Sequence, residues 1–259
     1  MSYLYRQEIF KLLKRRSTWI GLALLIIENC AVAVVLNIHR NSGFENLFFT
    51  NDFNSIPFIY FMMIAASSTI IATEFEYNTI KNIVSRQFSR KMVLTSKWLA
   101  ILTYSLVVFL IMMLVTLINK FILLGDLSLT TTYSKLDQTA LWLVWLRTNA
   151  TNFVTLWLLL SVVLWIATMM KKGVTAVVTG IVGYLAISII DTFVTALISK
   201  WEFVKWLPFN FLNYANQVAS VGIISELTHL SNNELLVGSL TYTTIFLMLG
   251  LYFFSRKEI

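Results

Sequence analysis

Two acids, Glu28 and Asp191, stand in stretches of sequence that are otherwise apolar, and Glu28 is followed directly by Asn29. A carboxylate about ten residues into an apolar run of ~20 residues must face a bundle interior, a wet cavity or a polar partner, because hydrocarbon solvates it poorly. Glu28 and Asn29 therefore have two readings: lining a path for cationic or amphiphilic molecules, or holding a buried hydrogen bond between helices. Asp191 stands nearer the end of its run, where a cap or a surface ion pair competes with a role in the same path. The other reactive side chains do not assemble. Cys30 is the single cysteine, so neither an internal disulfide nor a multi-cysteine metal cluster can form. His39 and His229 are the only histidines, both in or near the outer connections and without a supporting cluster, so no metal is expected. No His-Glu-x-x-His pair and no acid pair at one depth occur, which speaks against an intramembrane enzyme. No Gly-x-x-x-x-Gly-Lys-Ser/Thr loop occurs either, so the chain cannot cradle a nucleoside triphosphate by that route.

The segment 74–91 carries a different chemistry, that of recognition. On a helix, Tyr77, Ile80, Ile83, Val84 and Phe88 share one face, with Lys81, Asn82, Ser85 and Arg86 on the other. Such a short amphipathic helix suits docking into a groove of a soluble partner, with Glu74 and Glu76 ordering the turn that leads into it. A helix resting on the lipid surface is the competing reading.

These residues must be positioned by membrane helices. Hydrophobic residues make up 58% of the 259 and charged residues 13%, against about 45–50% and about 25% in soluble domains. The excess falls in six runs, 18–38, 56–73, 93–119, 151–170, 173–199 and 235–254, each near the ~20 residues that cross a ~30 Å hydrocarbon core. They do not alternate as barrel strands would, so the fold class is an all-α polytopic membrane protein with six spans. Basic residues set the orientation. Arg6, Lys11, Lys14, Arg15, Arg16, Lys81, Arg86, Arg90, Lys91, Lys97, Lys171, Lys172, Arg256 and Lys257 share one side, as against Arg40, Lys120, Lys135, Arg147, Lys200 and Lys205. The richer side, with both termini, is expected in the cytoplasm. The net charge of +7 is explained by this placement, not by nucleic acid.

The chain reads as one transmembrane domain over 1–259. Residues 1–17 are expected to form an interfacial helix with Tyr5, Ile9, Leu12 and Leu13 on its apolar face. Connections of about 17 and about 30 residues follow the first and third spans, and 200–234 is expected to fold back as short helices dipping into the membrane. Gly173, Ala176, Gly180 and Gly183 offer small positions for close helix contact in the fifth span.

The run Glu74-Phe75-Glu76-Tyr77-x-Thr79-Ile80-Lys81-Asn82-x-x-Ser85-Arg86-x-x-Ser89-Arg90, directly after the second of six spans, resembles the coupling-helix region of type-2 ABC exporter permeases. Glu8-x-x-Lys11-Leu12-x-Lys14-Arg15-Arg16 before the span opened by Trp19 resembles that family's connecting helix. The resemblance implies a second permease subunit, identical or a sister chain, and two separate ATPase subunits that hold ATP and magnesium, with no cofactor on this chain. It also implies that Glu74, Glu76, Tyr77, Thr79, Ile80, Lys81, Ile83, Val84, Arg86 and Arg90 form the ATPase-coupling segment. The compact form is most similar to permeases that expel antimicrobial or toxic peptides from Gram-positive bacteria, such as lantibiotic-immunity, bacitracin-resistance and phenol-soluble-modulin exporters. A membrane immunity or sensor protein that sequesters its ligand without transport is the alternative.

Overall fold

The structure, a computed structural model, describes residues 1–39, 44–76, 88–132, 139–170, 172–198, 200–219 and 228–256. Helix α1 (Ser2–Lys14) ends where Arg15 turns extended, and α2 (Arg16–Ile38) starts at once. A short α3 (Glu45–Thr50) and a 3-10 turn (Asp52–Asn54) lead into α4 (Ile56–Glu76). Pro57 stands in the first turn of α4, where a missing N–H leaves no bond unmade. Helix α5 (Arg90–Leu123) is capped by Ser89, whose hydroxyl accepts the Met92 N–H at 3.3 Å. Then come α6 (Leu141–Met169), α7 (Gly173–Ile198), 3-10 turns at Glu202–Trp206 and Asn210–Asn213, α8 (Tyr214–Ala219) and α9 (Asn232–Arg256). Before α9, Ser231 and Glu234 form a reciprocal cap: the Ser231 N–H donates to Glu234 at 2.7 Å, and the Glu234 N–H donates back to Ser231 at 3.3 Å. No β-sheet occurs among the described residues.

Among the described residues five helices, α2, α4, α5, α6 and α9, are long and apolar enough to cross a bilayer. Helix α7 has 26 residues, and its described apolar stretch runs over Gly173–Ile187. Large apolar side chains such as Ile27 on α2, Ile122 on α5, Ile189 on α7 and Met248 on α9 lie exposed. Apolar surface on that scale is stable against lipid or against another protein.

Inside, α6 is the most enclosed helix and packs against α9, α4 and α8, while α4 also lies along α7. The main core joins Ile59, Met63 and Ile64 of α4 to Leu94 and Ile101 of α5 and Leu156, Leu160 and Leu164 of α6. Helix α2 buries one stripe, Leu25, Asn29, Ala33 and Leu36, at helical spacing, and turns the rest outward. Lipid is as apolar as leucine, so close packing and polar contacts decide which helices meet. Gly180 illustrates this: a Cβ there would stand 2.7 Å from Ile64, so α7 and α4 touch because that position is empty. Gly183, in contrast, faces open space.

Three boundaries differ from the sequence reading. Helix α6 begins at Leu141 and not near 151, so the preceding connection is shorter than expected and Arg147 lies on a helix. The cause is tertiary: Trp145, Thr148 and Asn149, too polar for a hydropathy window, are buried. Helix α5 runs three residues earlier and four later than 93–119. The link between α2 and α4 is no simple loop, since α3 and the turn after it pack on α2, α5 and α6. In that turn Asp52, Phe53 and Asn54 have φ of 49°, 50° and 68°. Left-handed backbone at a non-glycine residue costs roughly 1–3 kcal/mol and persists only where surroundings enforce it.

Candidate functional site

At the end of the bundle where α4 stops and α5 starts, four charged side chains close a ring. Lys97 Nζ donates to Glu8 Oε2 at 3.0 Å and to Glu74 Oε1 at 3.1 Å. Lys11 Nζ donates to Glu8 Oε1 at 3.0 Å and to Glu74 Oε1 at 2.8 Å. Two ammonium groups thus alternate with two carboxylates, and the ring is neutral. Lys97 is only 1% exposed, and Glu8 and Glu74 are buried with it, while Lys11 stands at the rim with its side chain half-exposed. Burial alone would lower the Lys11 pKa, but Glu74 and Glu8 beside it outweigh that and raise it.

The geometry follows from local structure. Leu4, Glu8 and Leu12 are four residues apart, so α1 presents them on one face, and that face lies against the bundle. Tyr5 and Ile9 pack partly on the same core, and the Tyr5 hydroxyl lies 2.8 Å from Thr103 Oγ1. Arg15 adds a 2.6 Å bond to Thr69 of α4. Leu13, expected on the apolar face, is exposed with Tyr3 and Phe10 on the opposite side.

Two further contacts gather at this end. The Glu76 carboxylate accepts the Gly173 N–H at 2.9 Å, placing a negative charge at the start of α7 where unpaired N–H groups point. A Cβ at Gly173 would stand 3.1 Å from that carboxylate. Arg90 Nη1 donates to the Ser255 carbonyl at 3.1 Å, linking α5 to the last turn of α9. The ends of α1, α4, α5, α7 and α9 are therefore joined at this end of the bundle. Of the sequence-predicted coupling residues, Glu74, Glu76 and Arg90 take these places. Tyr77, Thr79, Ile80, Lys81, Ile83, Val84 and Arg86 lie outside the described residues.

At the opposite end, Glu28 accepts a 2.6 Å hydrogen bond from Ser55. Asn29 is fully buried, and its amide donates to the Asp52 carbonyl at 2.9 Å, to Ser55 at 3.0 Å and to Thr116 at 3.1 Å, while its oxygen accepts from Asn119 at 2.9 Å. The pair holds the strained turn against α2 and α5. Asp191 falls within α7, and its side chain is outside the described residues.

Beside that turn lies a cavity of about 570 Å³ between α3, α4, α6, α7 and the region before α9. Phe48, Leu159 and Leu212 give it apolar walls, and Asn54, Asn152 and Asn216 give it amides. Tyr60 and Tyr184 face it with ring centroids 5.8 Å apart. Glu28 is not among its lining residues.

Sequence reasoning missed Glu8 and Lys97 as a pair, and it missed Asp52 altogether. A lysine seven residues into α5 was visible as a charge inside an apolar run. Nothing local marks Asp52, because its burial is created by α6.

Residues 4–188, which run from α1 into α7, match the family model described as ABC-2 family transporter protein. No curated protein gives a significant match to the chain. With five helices fit to cross a bilayer among its described residues, the chain belongs to the ABC-2 transporter family as the multi-pass membrane permease subunit of an ABC transporter.

Proposed function

We propose that this chain is the permease of an ATP-driven exporter in a bacterial plasma membrane, with α2, α4, α5, α6, α7 and α9 as six spans and both termini in the cytoplasm. Residues 74–91 dock an ATPase subunit, and a second permease, identical or a sister chain, completes the transporter with two ATPases. ATP and magnesium belong to those partners.

The observation that supports this reading is the neutral ring of Glu8, Lys11, Glu74 and Lys97. It clasps α4 to α5 beside the docking segment and fastens α1 to both. A push on 77–87 would then move three helices as one body, with Glu76 and Arg90 passing it to α7 and α9. The cavity suits an amphipathic cargo, such as an antimicrobial or toxic peptide, because amides and apolar side chains alternate on its walls. Glu28 and Asn29 act on that path indirectly, by holding the turn that carries Asn54, and Asp191 is kept as a candidate for its outer part.

The test is co-purification with the ATPase subunit followed by measurement of ATP hydrolysis. Ile83→Asp places a charge on the predicted apolar face and should release the ATPase from a monodisperse permease, because an unpaired charge in an apolar contact is costly. Arg86→Ala should keep the complex and lower transport per ATP. A complete, fully coupled complex carrying Ile83→Asp would defeat the docking role. A chain that binds no ATPase at all would be a sequestering immunity or sensor protein.

A further inference from the structure

The turn after α3 contains an acid that coupling to an ATPase does not use. Asp52 is wholly buried in the connection between α2 and α4. Its Oδ1 accepts the Trp145 indole N–H at 2.7 Å, and its carbonyl accepts from Asn29. Its Oδ2 has no partner. Asn149 and Thr116 stand within hydrogen-bonding reach of the carboxyl group. Asn149 donates its amide N–H to the Trp145 carbonyl at 3.1 Å and is left with a buried, unpartnered Oδ1. A fully buried carboxylate oxygen with no donor is costly as a charge and far less so once it carries a hydrogen.

No cation fills that need among the described residues. The titratable groups on the surrounding elements are Glu28 and Cys30 of α2, Glu45 of α3, Tyr60 of α4, Lys120 of α5 and Arg147 of α6, and none is ion-paired to Asp52. Lys120 places its Nζ 4.5 Å over the Phe121 ring, and Arg147 is exposed. Glu28, reached through Ser55, adds a second carboxyl. We propose that Asp52 is a proton-binding site, in which one proton on the orphaned Oδ2 removes the buried charge and holds the left-handed turn against α6. Asn51 and Asn54 flank Asp52 and line the cavity, so the proton also sets the position of the cavity wall.

Burial raises the carboxyl to about 6, against lowering by Trp145, Asn149 and Thr116. An acid raised in the folded state is protonated there first, so the fold is favoured at low pH and weakened as pH rises through about 6.

The experiment measures the thermal unfolding midpoint of the intact chain in lipid nanodiscs between about pH 4 and about pH 7, which spans the ordinary and the raised carboxyl values. The natural chain should lose stability across that window. Asp52→Asn, which carries the proton's hydrogens permanently, should flatten the curve. Trp145→Phe removes the donor that favours the carboxylate and should move the transition to higher pH, which keeps the test open if Asp52→Asn fails to fold. As a second readout, Asn51→Cys in a Cys30→Ser background is labelled with a soluble thiol reagent, with and without Asp52→Asn. The ratio of the two rates cancels the thiol's own titration and should rise several-fold toward alkaline pH. A transition of unchanged size in Asp52→Asn, an unmoved transition in Trp145→Phe, or a labelling ratio constant with pH overturns the proposal. So does sodium or lithium ion restoring alkaline stability, because the orphaned oxygens would then take a metal cation and not a proton.

Discussion

Lys97 on α5 and Glu74 on α4 meet at 3.1 Å inside the bundle, 23 residues apart in sequence. The contact closes the end of α4 on the start of α5.

Removing Lys97 should therefore be severe. Lys97→Met leaves two carboxylates buried side by side, and breaking a buried pair from one side costs roughly 3–5 kcal/mol. Lys11→Met, at the half-exposed rim, should cost about 1 kcal/mol or less. A double-mutant cycle with Glu74→Gln, read by chemical or thermal unfolding in detergent, should show strong coupling to Lys97 and weak coupling to Lys11. Equal losses at the two lysines would mean that burial does not set the strength of this ring.

Lys11 also gives the ring an alkaline limit. Its raised pKa means that its stabilisation is fully present below the ordinary lysine value of 10.5 and is lost as pH rises through the raised one. Unfolding curves at increasing alkaline pH should fall for the natural chain and fall less for Lys11→Met. Parallel curves would show that the alkaline loss arises elsewhere.

Two glycines should respond in opposite directions. A Cβ at Gly238 would stand 2.0 Å from the Phe211 ring, which is 1% exposed and packed by Leu158 and Leu235. Gly238→Ala should lose roughly 1–3 kcal/mol through overpacking. Gly183 meets nothing within 4 Å, so Gly183→Ala should gain several tenths of a kcal/mol from helix propensity. Thermal midpoints of the two variants decide it, and a neutral Gly238→Ala would place Phe211 elsewhere.

Sidedness can be read with an impermeant thiol reagent on intact cells in a Cys30→Ser background. Asn233→Cys, exposed at the start of α9, should label from outside, and Lys172→Cys, exposed before α7, only after permeabilisation. Labelling of Lys172→Cys in intact cells would invert the proposed orientation and defeat the docking role proposed for 74–91.

The helices were legible because their signal is one of length and apolarity, which needs no tertiary information. Runs such as 156–160 declare a span by composition alone. The errors lie where burial comes from neighbours. Thr148 and Asn149 read as loop residues, yet they sit within α6 facing other protein, where their polarity carries less cost. The same limit applies to the sites. Glu74 and Glu76 stood out because they interrupt an apolar run beside a basic one, but their partners, Lys97 and the Gly173 N–H, come from distant helices. Asp52 could not be found at all, since a polar turn before proline looks like any surface loop until Trp145 covers it.

The ring also constrains how the chain is made. Glu8 is synthesised 89 residues before Lys97, so when α1 leaves the ribosome its docking place does not yet exist. That place is complete only once α4 and α5 have both been made and packed together. Only then does Lys97 arrive to neutralise Glu8 and Glu74 together. The first helix of the chain is thus the last of the three to settle, and its docking marks a correctly inserted α4–α5 pair.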